Sequence, residues 1–532
     1  MKMKRIHIFL ILVVAAFASC EDDYLERFPK DELSAGSFWK QEQDAEQFMI
    51  ALYQNLPMFL IDDEINSDNA LHGIKWAEGD VAKGIYDPLD GTFSGHWSGN
   101  YSGLRKCNIL LENIDNIETF ETYSKDEIIA QTKFFRAYLH FELCKVFGDV
   151  PLIDKSLVLE ETYELTRTPV AQVIDFILKD LSDAAADLPT TWSGGDYGKI
   201  TKGAALAMKA RVQLFYSKWG DAAATAKQVM DLNVYDLYDK ENTGKYAELF
   251  YASEPGDERK AEMVLETQRK PDDYENWYNT WSAPPGFGWG GINPTQSFVD
   301  EFECTDGKTI AESDLYDDSK PFENRDPRLE VNVLHHGEVY KGVDINTRPV
   351  QEDYPRGIAT HRDATSTGYY QQKFLNPNEE INGADGWNSS HDWPVIRYAE
   401  VLLTYAEAKN EAGGPDADVY AAVNSVRERV GMPALPEGLS KDEMRTRIRR
   451  EWRVEFGMEG KRWLDIRRWD IGNDVLNGQF YGMKYDPTTK TAFIGTNVAA
   501  GVPRQYKAHN RLWPVPQNQI DLNEKLTQNT GY

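Results

Sequence analysis

The stretch RYAEVLLTYAEAKN, Arg397–Asn410, decides the fold class. Ala399, Leu402, Leu403 and Ala406 stand at offsets 0, 3, 4 and 7, which is one apolar stripe of an α-helix. Gly413-Gly414-Pro415 breaks that helix, and Val419–Val430 follows as its antiparallel partner. Small residues let two helices approach closely, and bulky ones fill the holes between them. The same layout stands upstream, in Ala205, Ala207, Ala210, Leu214 and Phe215, then the turn Lys218-Trp219-Gly220-Asp221, then Ala222–Met230. Two such pairs argue a mainly α protein.

Working outward, helical periodicity extends over Gln43–Leu56, Tyr101–Asn116, Lys125–Phe147, Val170–Leu188, Lys202–Lys218 and Asp221–Leu232. The pairs resemble tetratricopeptide helices, though the repeat is too degenerate for a long solenoid. The reading divides the chain into an N-terminal helical part (41–234), a loop-rich insertion (235–394) and a C-terminal helical part with a tail (395–532). The insertion is rich in Gly, Pro, Asn, Asp and aromatics, and a long loop-rich segment of that kind is a natural carrier of a ligand site. Helix is expected again over Lys441–Gly457, and loop from Val475 onward.

The 532 residues carry a net charge of −28, which disfavours a phosphate backbone as partner, so no nucleic acid is expected. Lys2, Lys4 and Arg5 precede an apolar run, Ile8–Phe17, too short to span a bilayer comfortably and suited to a signal peptide over 1–19. Ala18-Ser19-Cys20 resembles a bacterial lipobox, so Cys20 is expected to carry the lipid and residues 20–40 to form the tether. Three cysteines remain, Cys107, Cys144 and Cys304, which cannot all pair with one another. Cys107 and Cys144 lie in apolar helical patterns and read as small buried thiols.

Three separated motif groups carry a family resemblance. Tyr24-Leu25-Glu26-Arg27-Phe28-Pro29-Lys30, Leu33-Ser34 and Phe38-Trp39-Lys40 form the first. Arg397–Ala408, Glu451-Trp452-Arg453-Val454-Glu455-Phe456, Glu459-Gly460-Lys461-Arg462-Trp463 and Asp465-Ile466-Arg467-Arg468-Trp469 form the second. Leu512-Trp513-Pro514-Val515-Pro516 and Gln528-Asn529-Thr530-Gly531-Tyr532 close the chain. In this order they resemble the SusD/RagB family of outer-membrane nutrient-binding lipoproteins. The resemblance implies a helical scaffold of tetratricopeptide-like pairs with a loop-borne ligand site. It implies a surface location on the outer membrane, a SusC-like TonB-dependent transporter as partner and a glycan as ligand. A peptide ligand, as in RagB-like members, is the alternative, and a glycosidase is a distant third.

Two aromatic clusters are the candidate sites. Gly95-His96-Trp97-Ser98-Gly99-Asn100-Tyr101 is read as lying just before a helix. Its Trp97 and Asn100 match family positions where a ring stacks on a sugar and an amide bonds its hydroxyls. The competing reading packs Trp97 under the helix. Asp68 and Asn69 are read as loop residues adding polar contacts. The second cluster is Trp277-Tyr278-Asn279-Thr280-Trp281 with Pro284-Pro285-Gly286-Phe287-Gly288-Trp289, three indoles within thirteen residues on a Gly/Pro loop. Trp277, Tyr278, Trp281 and Trp289 are candidates, Trp289 foremost. A pyranose presents a flat patch of C–H groups over which an indole face lies, worth on the order of 1 kcal/mol per ring.

Other chemistry is poorly represented. The nine histidines show no zinc spacing, and no G-x-S-x-G elbow occurs. Asn376, Asn378, Glu380 and Asn382 alternate oxygens as calcium loops do but lack the full ligand set, so no cofactor is expected beyond a structural calcium at that loop. Between Met444 and Arg468 stand nine basic and four acidic residues, which read as internal ion pairing, beginning with Arg447 and Glu451 at i, i+4. The expectation is a binding protein and not an enzyme.

Overall fold

A computed structural model of the chain describes residues 38–57, 61–73, 79–192, 194–251, 257–268, 278–345, 347, 365–378, 392–485 and 492–532. The signal segment, Cys20 and the Tyr24–Lys30 motif therefore lie outside the described residues, as do Trp277, Glu380 and Asn382.

The elements used below run in chain order. They are α1 (Glu42–Leu52), α2 (Ile61–Ile65), β1 (Ala70–His72), α3 (Gly91–Asn113), α4 (Lys125–Phe147), α5 (Val170–Asp187), α6 (Lys202–Phe215) and α7 (Trp219–Asp231). The middle of the chain holds β2 (Met263–Thr267), α8 (Tyr278–Ser282), β3 (Ile292–Pro294) and β4 (Trp393–Arg397). The C-terminal part holds α9 (Tyr398–Gly413), α10 (Ala417–Glu428), α11 (Lys441–Glu455), α12 (Arg462–Arg468), β5 (Gly478–Tyr485) and β6 (Ala492–Arg504).

Local chemistry sets the helix ends. The Ser124 hydroxyl accepts from the Glu127 amide while the Glu127 carboxylate accepts from the Ser124 amide, a capping box that opens α4. Ser440 and Glu443 repeat it at α11. Asp90 caps α3 through the Thr92 amide, so α3 begins ten residues before the start that periodicity suggested. Gly91, Gly95, Gly99 and Gly103 hide that first half, because glycine has low helix propensity. Gly103 has a packing reason: a Cβ there would sit 2.7 Å from Leu139 Cδ1, so α3 and α4 cross closely at this point. Helix α4 ends at Gly148, at φ 73°, three residues ahead of Pro151.

Helices α3 to α7 stack neighbour on neighbour, with α4 buried on nearly every side: Phe134, Phe135, Leu139 and Phe141 fill the core, and Arg136 pairs with Asp180 of α5 at 2.7 Å. The next layer on α7 is α9, followed by α10, although 166 residues separate α7 from α9 in sequence. One continuous core runs through both helical parts. The expected mainly α scaffold of paired helices is thus observed, split by the insertion and closed again behind it. Its seam is an antiparallel pair: β2, near the start of the insertion, bonds to β4 at its end, with Met263 opposite Arg397 and Thr267 opposite Trp393.

The insertion and the C-terminal helices meet through buried charge. Arg397 contacts Glu262 (2.6 Å), Glu455 (2.9 Å) and Glu459 (2.7 Å). Lys373 reaches Glu459 at 2.7 Å, and Arg429 pairs with Glu262 (2.6 Å) and Glu455. Arg328 contacts Asp326 (2.7 Å), Glu451 (2.5 Å) and Glu455 (3.1 Å). The basic run is therefore internally paired, but across elements: Arg447 pairs with Glu303, and Glu451 with Arg328 and Arg427. Burial alone would raise the Glu455 carboxyl; Arg429, Arg397 and Arg328 outweigh it and hold it far below the usual carboxylate range.

The expectation of loop after Val475 is corrected, since β5 and β6 pair antiparallel there with two interruptions of register. Cys107, Cys144 and Cys304 are buried free thiols. Among the described residues no helix is long and apolar enough to cross a membrane.

Candidate functional site

Strand β1 is the pivot. It pairs antiparallel with β3, His72 opposite Ile292, and the Gly73 amide continues the ladder by donating to the Gly291 carbonyl at 2.8 Å. A Cβ at Gly73 would lie 1.8 Å from the Gly290 carbonyl oxygen, so only glycine admits this approach. The loop before β3 folds back on α8 through its backbone. Trp289 N–H donates to Thr280 O (2.7 Å), Gly290 N–H to Ala283 O (2.8 Å) and Gly291 N–H to Trp281 O (2.7 Å).

That folding sets Trp281 and Trp289 side by side, their centroids 5.7 Å apart and their planes at 61°. The His72 ring stands edge-on to Trp281 at 5.2 Å. Both indoles are half-buried and keep accessible surface. Together they form an aromatic shelf.

His72 also lines a cavity of about 530 Å³ enclosed by α2, β1, α3 and α4, with Trp463 and Trp513 beneath. Its polar wall is Asp62, Asp63, Asn66, Thr92, His96, Glu142 and Lys145. Lys145 Nζ is 2.6 Å from the Glu142 carboxylate, and His96 Nε2–H donates to the Glu142 carbonyl at 2.9 Å. Burial lowers the His96 pKa and favours the neutral ring. Burial pushes the Asp63 carboxyl up to about 7, against the pull of Lys145, with Glu142 and Asp62 adding to the rise. Hydroxyl acceptors and donors, flat rings and a concave wall can hold a polyhydroxylated ligand. Among the described residues no group of three or more His, Cys, Asp or Glu is disposed to hold a metal ion.

The first aromatic cluster is placed differently from its reading. Trp97 lies inside α3, not before it, and is 4 % exposed, packed against Tyr101 (5.0 Å) and Phe147 (5.1 Å). It walls a separate cavity of about 360 Å³ whose lining is mostly apolar, including Ile153, Leu157, Leu522 and Leu526. The Asn100 amide donates to the His96 carbonyl one turn back, at 2.7 Å. Open stacking by Trp97 therefore conflicts with its burial.

Asp68 and Asn69 are corrected too. Both are buried, and Asp68 meets Arg462 (2.7 Å) and Arg453 (3.0 Å). Burial alone would raise its carboxyl, but the two guanidinium groups hold it down to about 2. Asn69 Nδ2 donates to Glu64 and its Oδ1 accepts from Arg453. These side chains anchor β1. Tyr278 is 1 % exposed, packed on Phe374 and Trp393, with its hydroxyl bonded to Gln371. Of the candidates, the structure brings Trp281 and Trp289 together on one surface. The polar wall beside them, His72, Asp63, His96, Glu142 and Lys145, carries no motif in the sequence. Its members come from three separated stretches, and only the His96–Trp97 adjacency hinted at it.

Comparison with known proteins places the chain. The model described as "SusD family" matches residues 251–532, and one described as "Starch-binding associating with outer membrane" matches residues 23–214. A crystal structure of a SusD-like protein from Bacteroides fragilis superposes with a TM-score of 0.82 at 30% identity, over 95% of this chain and 100% of that one. A SusD-like carbohydrate-binding protein from the same species gives a TM-score of 0.82 at 26% identity, over 92% of this chain and 100% of that one. A SusD-like protein of Formosa agariphila is 24% identical over the full length of both chains. With more than half its length inside the family model and a near full-length structural relative, the chain belongs to the SusD family.

Proposed function

We propose that the chain is a non-catalytic glycan-binding lipoprotein of the outer-membrane surface, tethered through Cys20, which captures an oligosaccharide and passes it to a SusC-like TonB-dependent transporter. The observation that carries the reading is the pair of half-buried indoles, Trp281 and Trp289, set beside His72 at a polar cavity. Family membership supports it, as do the carbohydrate-binding relative and the outer-membrane description of the N-terminal match.

Mechanistically, rings supply shape-matched apolar contact and the polar wall fixes orientation by hydroxyl hydrogen bonds. Release must follow capture, so affinity in the micromolar to millimolar range is expected, about −8 to −4 kcal/mol. No step of bond cleavage is assigned to any residue. The test is a panel of polysaccharides run against the full-length chain in detergent by affinity electrophoresis, with reducing ends assayed alongside. Retardation without new reducing ends is the expected result. Absence of retardation across the panel, or steady release of reducing ends, overturns the reading.

A further inference from the structure

Helix α3 also walls the cavity of about 360 Å³, which shares no lining residue with the one beside the aromatic shelf. Trp97, Tyr101 and Arg105 stand at offsets 0, 4 and 8, so they lie along one face of α3. Facing them, the chain from Pro151 runs without helix, and its alternate residues Ile153, Lys155, Leu157 and Leu159 line the cavity. The end of the chain supplies the third wall through Gln519, Leu522, Asn523 and Leu526. Hydrogen bonds tie these walls together. The Tyr101 hydroxyl donates to the Pro151 carbonyl (2.9 Å), Arg105 Nη1–H to the Leu157 carbonyl (2.8 Å) and Asn523 Nδ2–H to the Leu165 carbonyl (2.8 Å).

The volume falls in the range of small-molecule sites, and the lining is mostly aliphatic and aromatic. Its apolar rim is open, since Leu159 is 64 % exposed and Leu522 61 %. Among the described residues the only charged members of the lining are Arg105 and Lys155, both basic, in a chain with 86 acidic residues against 58 basic ones. Glu161 neutralises Lys155 at 2.6 Å. Arg105 is exposed and bonded to a neutral carbonyl, with no carboxylate at ion-pair distance among the described residues. The hollow is thus apolar with one uncompensated guanidinium at its edge.

We infer that this cavity binds a small hydrophobic carboxylate, an acyl or aryl acid whose apolar body lies against Tyr101, Leu159 and Leu522 and whose carboxylate pairs with Arg105. The guanidinium offers forked donors to a carboxylate, while the rings and methyl groups take the remainder out of water. An oligosaccharide fits poorly, because most of its hydroxyls would find no partner on this lining. A folded partner protein needs about 20 residues a side, more than the cavity presents. The inference goes beyond the glycan-binding reading and does not depend on it.

The test uses the full-length chain in nanodiscs of zwitterionic phospholipid, which keeps detergent tails from competing. Octanoate, octanol, cinnamate and cinnamyl alcohol are titrated by ligand-observed NMR, with empty discs as the blank. At least one acid should bind about threefold or more tighter than its own alcohol. Arg105→Gln should remove that difference and leave the alcohol's affinity unchanged. Leu159→Asp, at the first position of the short helix Leu159–Thr162 where an acid is well placed, should weaken the acid more than the alcohol. Both side chains are exposed, and each variant is informative without the other. A preference for octanoate assigns the acyl form and a preference for cinnamate the aryl form, and either upholds the inference. Acid and alcohol bound equally, a preference unchanged in both variants, or no binding above the blank overturns it, and each of these leaves the glycan-binding reading intact.

Discussion

The helical stack around α4 and the junction between the insertion and α11 differ in what holds them: mostly apolar packing with one buried pair, Arg136–Asp180, in the first, and a lattice of buried charge in the second. In the stack, Phe134, Phe135, Leu139 and Phe141 fill space without directional bonds. At the junction, Arg328, Arg397 and Arg429 are among the largest fully buried side chains of the described residues, each locked to two or more carboxylates. Apolar packing rewards any shape that fits. A buried ion-pair lattice rewards one arrangement and penalises others, because a displaced charge is left unpaired in a medium that solvates it badly. The difference teaches where the molecule keeps its precision: where a loop-rich segment must return to the same place on a helical frame.

Breaking the lattice should have the largest effect. Glu455→Ala takes one carboxylate from each of three buried guanidinium groups and is expected to cost about 3–5 kcal/mol in chemical denaturation. Leu139→Ala, in the apolar stack, should cost about 3 kcal/mol, because α3 is already in contact at Gly103 and cannot collapse far into the gap. Acid sharpens the contrast. Glu400, held down to about 2 by Arg211 and Lys461 against its burial, and Asp68 both titrate lower in the folded chain than in the unfolded one. Their contribution, on the order of 2 kcal/mol each, is whole above about pH 4.5 and is lost as pH falls towards 2. Hydrogen exchange should therefore show β1 and α12 opening in acid before α4. The smallest effect separates shelf from core. Trp289→Ala should weaken a cognate glycan by about 1 kcal/mol with the melting temperature little changed. Trp97→Ala should lower the melting temperature and leave the affinity of the folded fraction unaltered.

The helical frame was largely legible in the chain, because an apolar stripe at offsets 3 and 4 is a local signal. The end of α7 and the start of α9 were visible, but not that these helices touch, since contact across a long insertion leaves no local trace. Half of α3 escaped because its glycines mask its period. The β5–β6 pair escaped for want of a clear alternation. For the site, the Trp281–Trp289 loop stands out by composition, whereas Asp68 reads as a loop residue offering polar contacts because its partners Arg453 and Arg462 lie almost four hundred residues away. The polar cavity wall is assembled from α2, α3 and α4, and such convergence is a property of packing, not of spacing.

The zipped seam between β2 and β4 has a consequence for how this architecture diversifies. The insertion departs and returns through neighbouring strands, so its contents can lengthen, shorten or be exchanged while the frame still closes behind it. The material beyond the zip, Trp281 and Trp289 included, can thus be rewritten without unmaking the helical stack that carries it.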